Sequence, residues 1–132
     1  MKASDDKKLR QVRERSGRRG EWLAAFLLIV KGYRILGHRV RTPVGEIDLI
    51  ARAPSGVVCF VEVKMRSLGN AALEALGPRQ QIRIARAAEL YLTRRPMLAS
   101  RGIRFDVVTV TAGGLPRHMR GAWQMDCRVP WA

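Results

Sequence analysis

Asp48, Glu62 and Lys64 are the residues of this chain best suited to chemistry. They lie in GEIDLIARAPSGVVCFVEVK, from Gly45 to Lys64. Two apolar runs flank Pro54-Ser55-Gly56, a pattern that reads as strand, turn and strand. A hairpin made for a core has little use for Glu46, Asp48, Glu62 and Lys64. Turn chemistry sets the register. Pro is pre-set for the first position of a three-residue loop, and Gly suits the left-handed position that follows. Such a loop pairs Ala53 with Val57. Counted back from there, Asp48 lies opposite Glu62 and Glu46 opposite Lys64. Alternation along the strands places these four on one face and Ile47, Leu49, Val61 and Val63 on the other.

Directly opposed carboxylates repel, and burial makes the repulsion worse. A bound divalent cation removes the conflict. Carboxylate oxygens with water and a backbone carbonyl suit Mg²⁺ or Mn²⁺. Zinc is disfavoured, because the histidines, His38 and His118, are distant from the acids in sequence. Lys64 reaches the same place, where it can orient a water or stabilise charge on a phosphoryl oxygen. The implied reaction is metal-assisted hydrolysis of a phosphodiester. The competing reading is a solvated sheet face holding Glu46–Lys64 and Asp48–Arg66 ion pairs. Ile50 and Phe60 weigh against it, since they continue the same face as apolar residues.

The whole chain fits such a substrate. It has 132 residues, 47% of them apolar, and a net charge of +14. That is enough for one domain with a real core. The charge favours a polyanionic partner: nucleic acid first, an anionic membrane surface second. The apolar run from Leu23 to Val30 is too short to span a bilayer, which takes roughly 20 residues. No signal peptide is expected, and Cys59 and Cys127 are too few for a disulfide framework. A cytoplasmic protein follows, with a basic lead-in over 1–19 and an α/β domain over 20–132. No P-loop, dinucleotide fingerprint or Ser/Cys–His constellation is present.

These acids need elements to hold them. Helical spacing predicts a helix from Glu21 to Lys31, with Trp22, Ala25, Phe26, Ile29 and Val30 buried and Gly32 ending it. A strand from Tyr33 to Val40 precedes the hairpin, and 65–77 reads as a connection. Pro78 opens a second helix that Pro96 stops. Its expected buried stripe is Ile82, Ala85, Leu92 and Ala87 or Ala88. Its arginines, Arg79 and Arg83 among them, either follow a phosphate backbone or form a solvated face. Strands follow at Ile103–Thr111 and Ala122–Val129, the last at an edge. The fold class is α/β, a single mixed sheet of about five strands flanked by helices, with the third and fourth strands parallel. Asp106 is expected to pair with Arg104 or Arg66 rather than to support the site. Trp22, Phe26, Tyr33 and Tyr91 are expected in the core. Trp123 and Trp131 suggest an exposed apolar edge that could serve a homodimer.

GEIDLIA followed by FVEVK resembles the UPF0102 (YraN-like) family of small bacterial proteins. The resemblance runs from about Gly20 to Val110 through GYRIL, RTPVGEIDLIA, FVEVKMR, ALEAL, AAELYL and RFDVV. That family is placed in the PD-(D/E)XK nuclease-like superfamily, near the archaeal Holliday-junction resolvases. The resemblance implies a restriction-endonuclease-like (resolvase-like) core. It makes Asp48 the metal-binding Asp, Glu62 the second acid and Lys64 the catalytic lysine. Glu21 joins the metal site from the first helix. Glu46, Gln81 and Arg66 support it from behind, and Arg39, Arg41, Arg79 and Arg83 contact nucleic acid. Two departures, Arg39 where Asn is usual and Gln80 where Lys is common, bear on the substrate groove. The expected function is a divalent-metal-dependent nuclease acting on DNA, branched or structured DNA included. The alternative is a nucleic-acid-binding module that keeps the fold without turnover.

Overall fold

The computed structural model describes residues 19–66, 77–111 and 113–124. Helix α1 covers residues 19–30. It ends where Gly32 enters the left-handed region at φ 90. The Gly32 amide donates to Ile29 and the Tyr33 amide to Leu28, so the last carbonyls of the helix are satisfied. Then follow β1 (Arg34–Thr42), β2 (Gly45–Arg52), β3 (Val58–Arg66), α2 (Pro78–Thr93), β4 (Ile103–Thr111) and β5 (Arg117–Trp123). The strands form one five-stranded sheet in the order β1-β2-β3-β4-β5. Pairing is antiparallel except between β3 and β4, which are parallel. The connection from β3 to β4 contains α2, as a parallel crossover requires.

The hairpin turn follows its chemistry. Ala53 and Val57 pair, with the Ala53 amide donating to Val57 at 2.8 Å, and Gly56 takes φ 94. The register continues to Leu49 opposite Val61. α2 covers one face of the sheet, where Ile84, Ala85, Ala87, Ala88 and Tyr91 meet Ile50, Val58, Phe60 and Phe105. α1 covers the other, where Ala24, Ala25 and Leu28 meet Leu49, Ala51, Cys59, Val61 and Val108. Burial holds both layers on the sheet, at about 25 cal/mol per Å² of apolar surface.

Several expectations change. α1 turns its small residues to the sheet and its bulky ones outward: Trp22 and Phe26 are each 67% exposed. The reason is close approach. A Cβ on Gly20 would collide with the Met65 sulfur, and Ala24 is fully buried. The helix therefore lies too near the sheet for an indole. In α2 the buried stripe includes Ile84, while Ile82 is only half-buried and Leu92 packs at its margin. Ile47 sits with the α2 layer instead of beside Leu49. β5 begins at Arg117, not Ala122. Trp123 is half-buried, stacked on Phe105 with ring centroids 4.1 Å apart, rather than an open apolar edge. Trp131, Cys127, the expected strand beyond 124, most of the 65–77 connection and the lead-in through 18 lie outside the described residues. No described helix is long and apolar enough to cross a membrane.

A buried polar knot ties the far end of α1 to β4 and β5. Asp106 is fully buried. Its oxygens accept from Arg104 at 2.8 and 2.9 Å, from His118 at 2.8 Å and from the Gly121 amide at 3.0 Å. Arg104 also donates to the Tyr33 hydroxyl at 2.7 Å. The other ring nitrogen of His118 lies 2.6 Å from Lys31 Nζ, so an Nε2–H tautomer satisfies both neighbours. Burial alone would raise the Asp106 carboxyl, but His118, Arg104 and Gly121 outweigh it and hold it well below the usual range.

Breaking a buried charge pair from one side typically costs 3–5 kcal/mol. Asp106→Ala is accordingly expected to destabilise the chain by about that amount in urea titration. The depressed carboxyl contributes stability above its ordinary pKa, lost as pH falls through its folded value. Acid unfolding curves should therefore show Asp106→Ala losing part of the wild-type decline below about pH 4.

Candidate active site

β2 and β3 pair closely as far as Leu49 and Val61. At the next step Asp48 intervenes: its carboxylate accepts the Val63 amide hydrogen at 2.8 Å. A side chain takes a bond that the neighbouring strand would otherwise supply. On the other edge of β2 the register shift against β1 falls between Ile35 and Gly37, and one register holds from there to Gly45. The pairs His38–Leu49 and Val40–Ile47 bracket Arg39 and Asp48. Arg39 has φ 49, in the left-handed region that a long side chain enters at a cost of about 1–2 kcal/mol. Along β2, Ile47 packs in the α2 layer although Leu49 packs in the α1 layer, so strict alternation fails between them.

Glu62 and Lys64 stand on the α2 side of β3, and the first turn of α2 meets them there. Pro78 at the start of the helix supplies a pre-set φ. Gln80 then bridges both groups, donating to Glu62 at 3.0 Å and accepting from Lys64 at 3.1 Å. Lys64 Nζ is 3.9 Å from the Glu62 carboxylate. The first turn of α2 carries no acid, so its amide dipoles favour negative charge nearby. The site thus lies toward the carboxyl end of the parallel pair, where open α/β sheets commonly bind ligands.

The two acids are coupled through a side-chain hydrogen bond. Burial raises Asp48 above its ordinary value against the pull of the Val63 amide, and the charges of Glu21 and Glu46 add to the rise. Burial and then the Asp48 charge push Glu62 up to about 8, against Lys64 and Gln80. Near neutral pH Glu62 therefore keeps a proton and donates it to Asp48. Such a pair suits a divalent cation, which would replace the shared proton with a charge that both acids can bind.

The remaining sequence candidates divide. Glu21 is 7% exposed and close enough to Asp48 to influence it. Its carboxylate, however, is held by His38 at 2.8 Å and Arg39 at 2.6 Å. Among the described residues, no three of His, Cys, Asp and Glu come together as a group ready to hold a metal. Glu46 is exposed and 3.6 Å from Arg41, not over Lys64. Arg39 spends its guanidinium on Glu21. Arg41, Arg79 and Arg83 are exposed, and the Arg83 stem packs against Gly45. Arg66 ends β3 opposite Thr111; its side chain lies outside the described set. Gln81 follows Gln80 by one helical step, and Gln80 is the residue that spans Glu62 and Lys64. Sequence reasoning marked Gln80 only as a departure at the substrate groove and set His38 aside as distant from the acids, and placed neither at the site. The first was recoverable only from the rotation of α2, the second only from α1 lying across β1.

A family model described as Uncharacterised protein family UPF0102 matches residues 20–110. Among similar proteins is the UPF0102 protein of Maricaulis maris (strain MCS10), 47% identical over 86% of this chain and 89% of its own. A UPF0102 protein of Chelativorans sp. (strain BNC1) is 49% identical over 86% and 91%. That of Paramagnetospirillum magneticum (strain ATCC 700264 / AMB-1) is 44% identical over 96% and 100%.

The raised acids have a consequence for stability without metal. A folded pKa of about 8 for Glu62 lies above its ordinary 4.5. Its contribution is full below that ordinary value and is lost as pH rises through 8. Thermal melts in chelator should show stability falling across that window. Glu62→Gln retains the hydrogen bond to Asp48 without the proton. It should flatten the slope and gain ~1 kcal/mol or more at pH 9, the linkage value of one pKa unit.

Proposed function

Because this chain belongs to the UPF0102 family and gathers Asp48, Glu62 and Lys64 at one fork of its sheet, we propose that it is a divalent-metal-dependent nuclease. Its substrate would be DNA, branched or structured forms included. The observation that carries this reading is the pair of half-buried carboxylates, Asp48 and Glu62, with the Lys64 ammonium 3.9 Å from Glu62. A purely structural fork would be better served by amides or apolar groups, since like charges in a half-buried site destabilise it. Resemblance of the D…ExK residues to the PD-(D/E)XK superfamily supports the same reading. It carries with it the proposal that this five-stranded sheet is a restriction-endonuclease-like core.

Asp48 and Glu62 would hold Mg²⁺ or Mn²⁺. When bound, the ion supplies Lewis-acid polarisation of a phosphoryl oxygen and a water of lowered pKa. The chain's own groups do the rest. Loading would require Glu62 to release its proton to solvent, leaving both carboxylates free to hold the ion. Lys64, aimed by Gln80, presents its ammonium to the phosphoryl oxygen on which charge builds. Gln80 keeps Glu62 and Lys64 in register with each other. The +14 charge draws in the phosphate backbone.

One observation favours the alternative, a nucleic-acid-binding module without turnover. Glu21, the acid the superfamily would bring to the metal, is occupied by His38 and Arg39. Incubation of four-way-junction, duplex and single-stranded DNA with Mg²⁺ or Mn²⁺ separates the two. The nuclease reading expects metal-dependent cleavage that Asp48→Asn and Glu62→Gln abolish. Lys64→Ala should slow it about 10²–10³-fold and Gln80→Ala about tenfold or more. Binding without cleavage, unchanged by the acid substitutions, would leave the binding module.

A further inference from the structure

The exposed side of α2 leads away from the candidate site to a second feature. Arg79, Arg83, Arg86 and Arg94 are all exposed. At 100° per residue Arg79, Arg83 and Arg86 fall within about 60° of one another, turned away from the buried stripe, and Arg94 follows at the C-cap, nearer that stripe. This basic track leaves Gln80, passes the β1–β2 turn at Gly45, and ends about 21 Å further on, at 1.5 Å per residue. There a cleft of about 210 Å³ opens between the β1–β2 turn and the end of α2. Pro43, Val40 and Leu90 supply apolar walls, and Arg41, Arg94 and Arg95 supply charge. No acid lines it.

Arg95 is held in an unusual way for a surface arginine. Its guanidinium carbon lies 3.9 Å from the centre of the Tyr91 ring. One of its nitrogens donates to the Tyr91 carbonyl at 3.2 Å. Tyr91 is itself buried, edge-on to Phe60. The planar guanidinium thus sits over a buried aromatic ring, in a residue that is itself exposed. Such a plane is a stacking surface for a nucleobase. A second cleft, of about 350 Å³, shares Arg95 and is lined also by Arg52, Met97 and Leu98. Arg41 has an 87% exposed side chain and only a long contact to Glu46, 3.6 Å. It remains available to a phosphate.

We propose that this cleft receives one unpaired base of a nucleic-acid strand, stacked on Arg95, with the adjoining phosphates held by Arg41 and Arg94. The first cleft, at about 210 Å³, falls below the 300–1,000 Å³ or so of a drug-sized pocket, a scale that fits a small planar group such as a base. The inference rests on the nucleic-acid reading above and sharpens it: the strand leading to the carboxylate pair is single at this point.

The test uses the full chain in chelator, so that no cleavage intervenes. A single-stranded oligonucleotide containing 2-aminopurine is titrated with protein, and its fluorescence and affinity are read. Arg95→Lys keeps the charge but loses the plane. The expected result is loss of the fluorescence change and about tenfold weaker binding, with a thermal melt like the parent. Arg41→Ala, at a solvent-exposed position, should lower the slope of log affinity against log salt by about 1. An unchanged signal in Arg95→Lys together with an unchanged slope in Arg41→Ala would overturn the proposal. So would equal affinity for adenosine monophosphate and the oligonucleotide, which would make the cleft a free-nucleotide site. Metal-dependent cleavage by a chain that fails these tests would leave the nuclease reading standing. An Arg95-dependent signal from a chain that cuts nothing would support the cleft and refute the nuclease. Absence of binding to any nucleic acid would overturn both.

Discussion

Asp48 takes the amide hydrogen of Val63 and thereby ends the close pairing of β2 with β3. The fork so opened is what the rest of the molecule is arranged around. It leaves room for Glu62 and Lys64 to face the first turn of α2. It also places two acids side by side in a half-buried space, where their charges can coexist only with a proton or a cation between them. Local irregularities lie beside it. Arg39 twists β1 into the left-handed region beside Asp48, and Ile47 passes to the opposite layer from Leu49.

Around that fork the molecule divides its electrostatics. The Asp106 knot neutralises its carboxylate completely with donors from β4 and β5, and Lys31 extends the network from the turn after α1. Nothing there is left for a ligand. At the fork the balance is the reverse: Asp48 and Glu62 are both raised, and the closest cation, Lys64, is shared with Gln80. Asp106 and Glu21 are buried and spent on contacts within the fold, while the half-buried Asp48 and Glu62 stay in a state that binding can change.

The hairpin was readable in the sequence because its register depends on three adjacent turn residues, Pro54, Ser55 and Gly56. Local chemistry decided it, and Leu49 does lie opposite Val61. The faces of the helices were harder to read. Counting apolar residues puts Trp22 and Phe26 in the core, but the distance of α1 from the sheet is set by Gly20 and Ala24, and that distance excludes large rings. Gln80 and Gln81 differ by one helical step of 100°, which sequence spacing cannot resolve without the strand that faces them. Ile47 defeats simple alternation, since it packs in the α2 layer and Leu49 in the α1 layer, and no residue type announces it. Asn would enter that backbone region more readily than Arg, so the departure noted at position 39 coincides with the most constrained backbone of the site.

The contacts at the fork differ from the parallel β3–β4 ladder in how far along the chain they reach. Asp48 to Val63, Lys64 to Gln80 and Glu62 to Gln80 span 15, 16 and 18 residues. The parallel ladder that buries β3 joins Val58 to Ile103 and continues to Arg66 and Thr111. Short loops close at a smaller entropic penalty than long ones, and local contacts form sooner in folding. The hairpin and the start of α2 can therefore set the relative positions of the reactive groups before β4 arrives. What β4 adds later is the dry surroundings that shift their proton affinities. Geometry at this site belongs to the early, local part of folding, and reactivity to the late, non-local part.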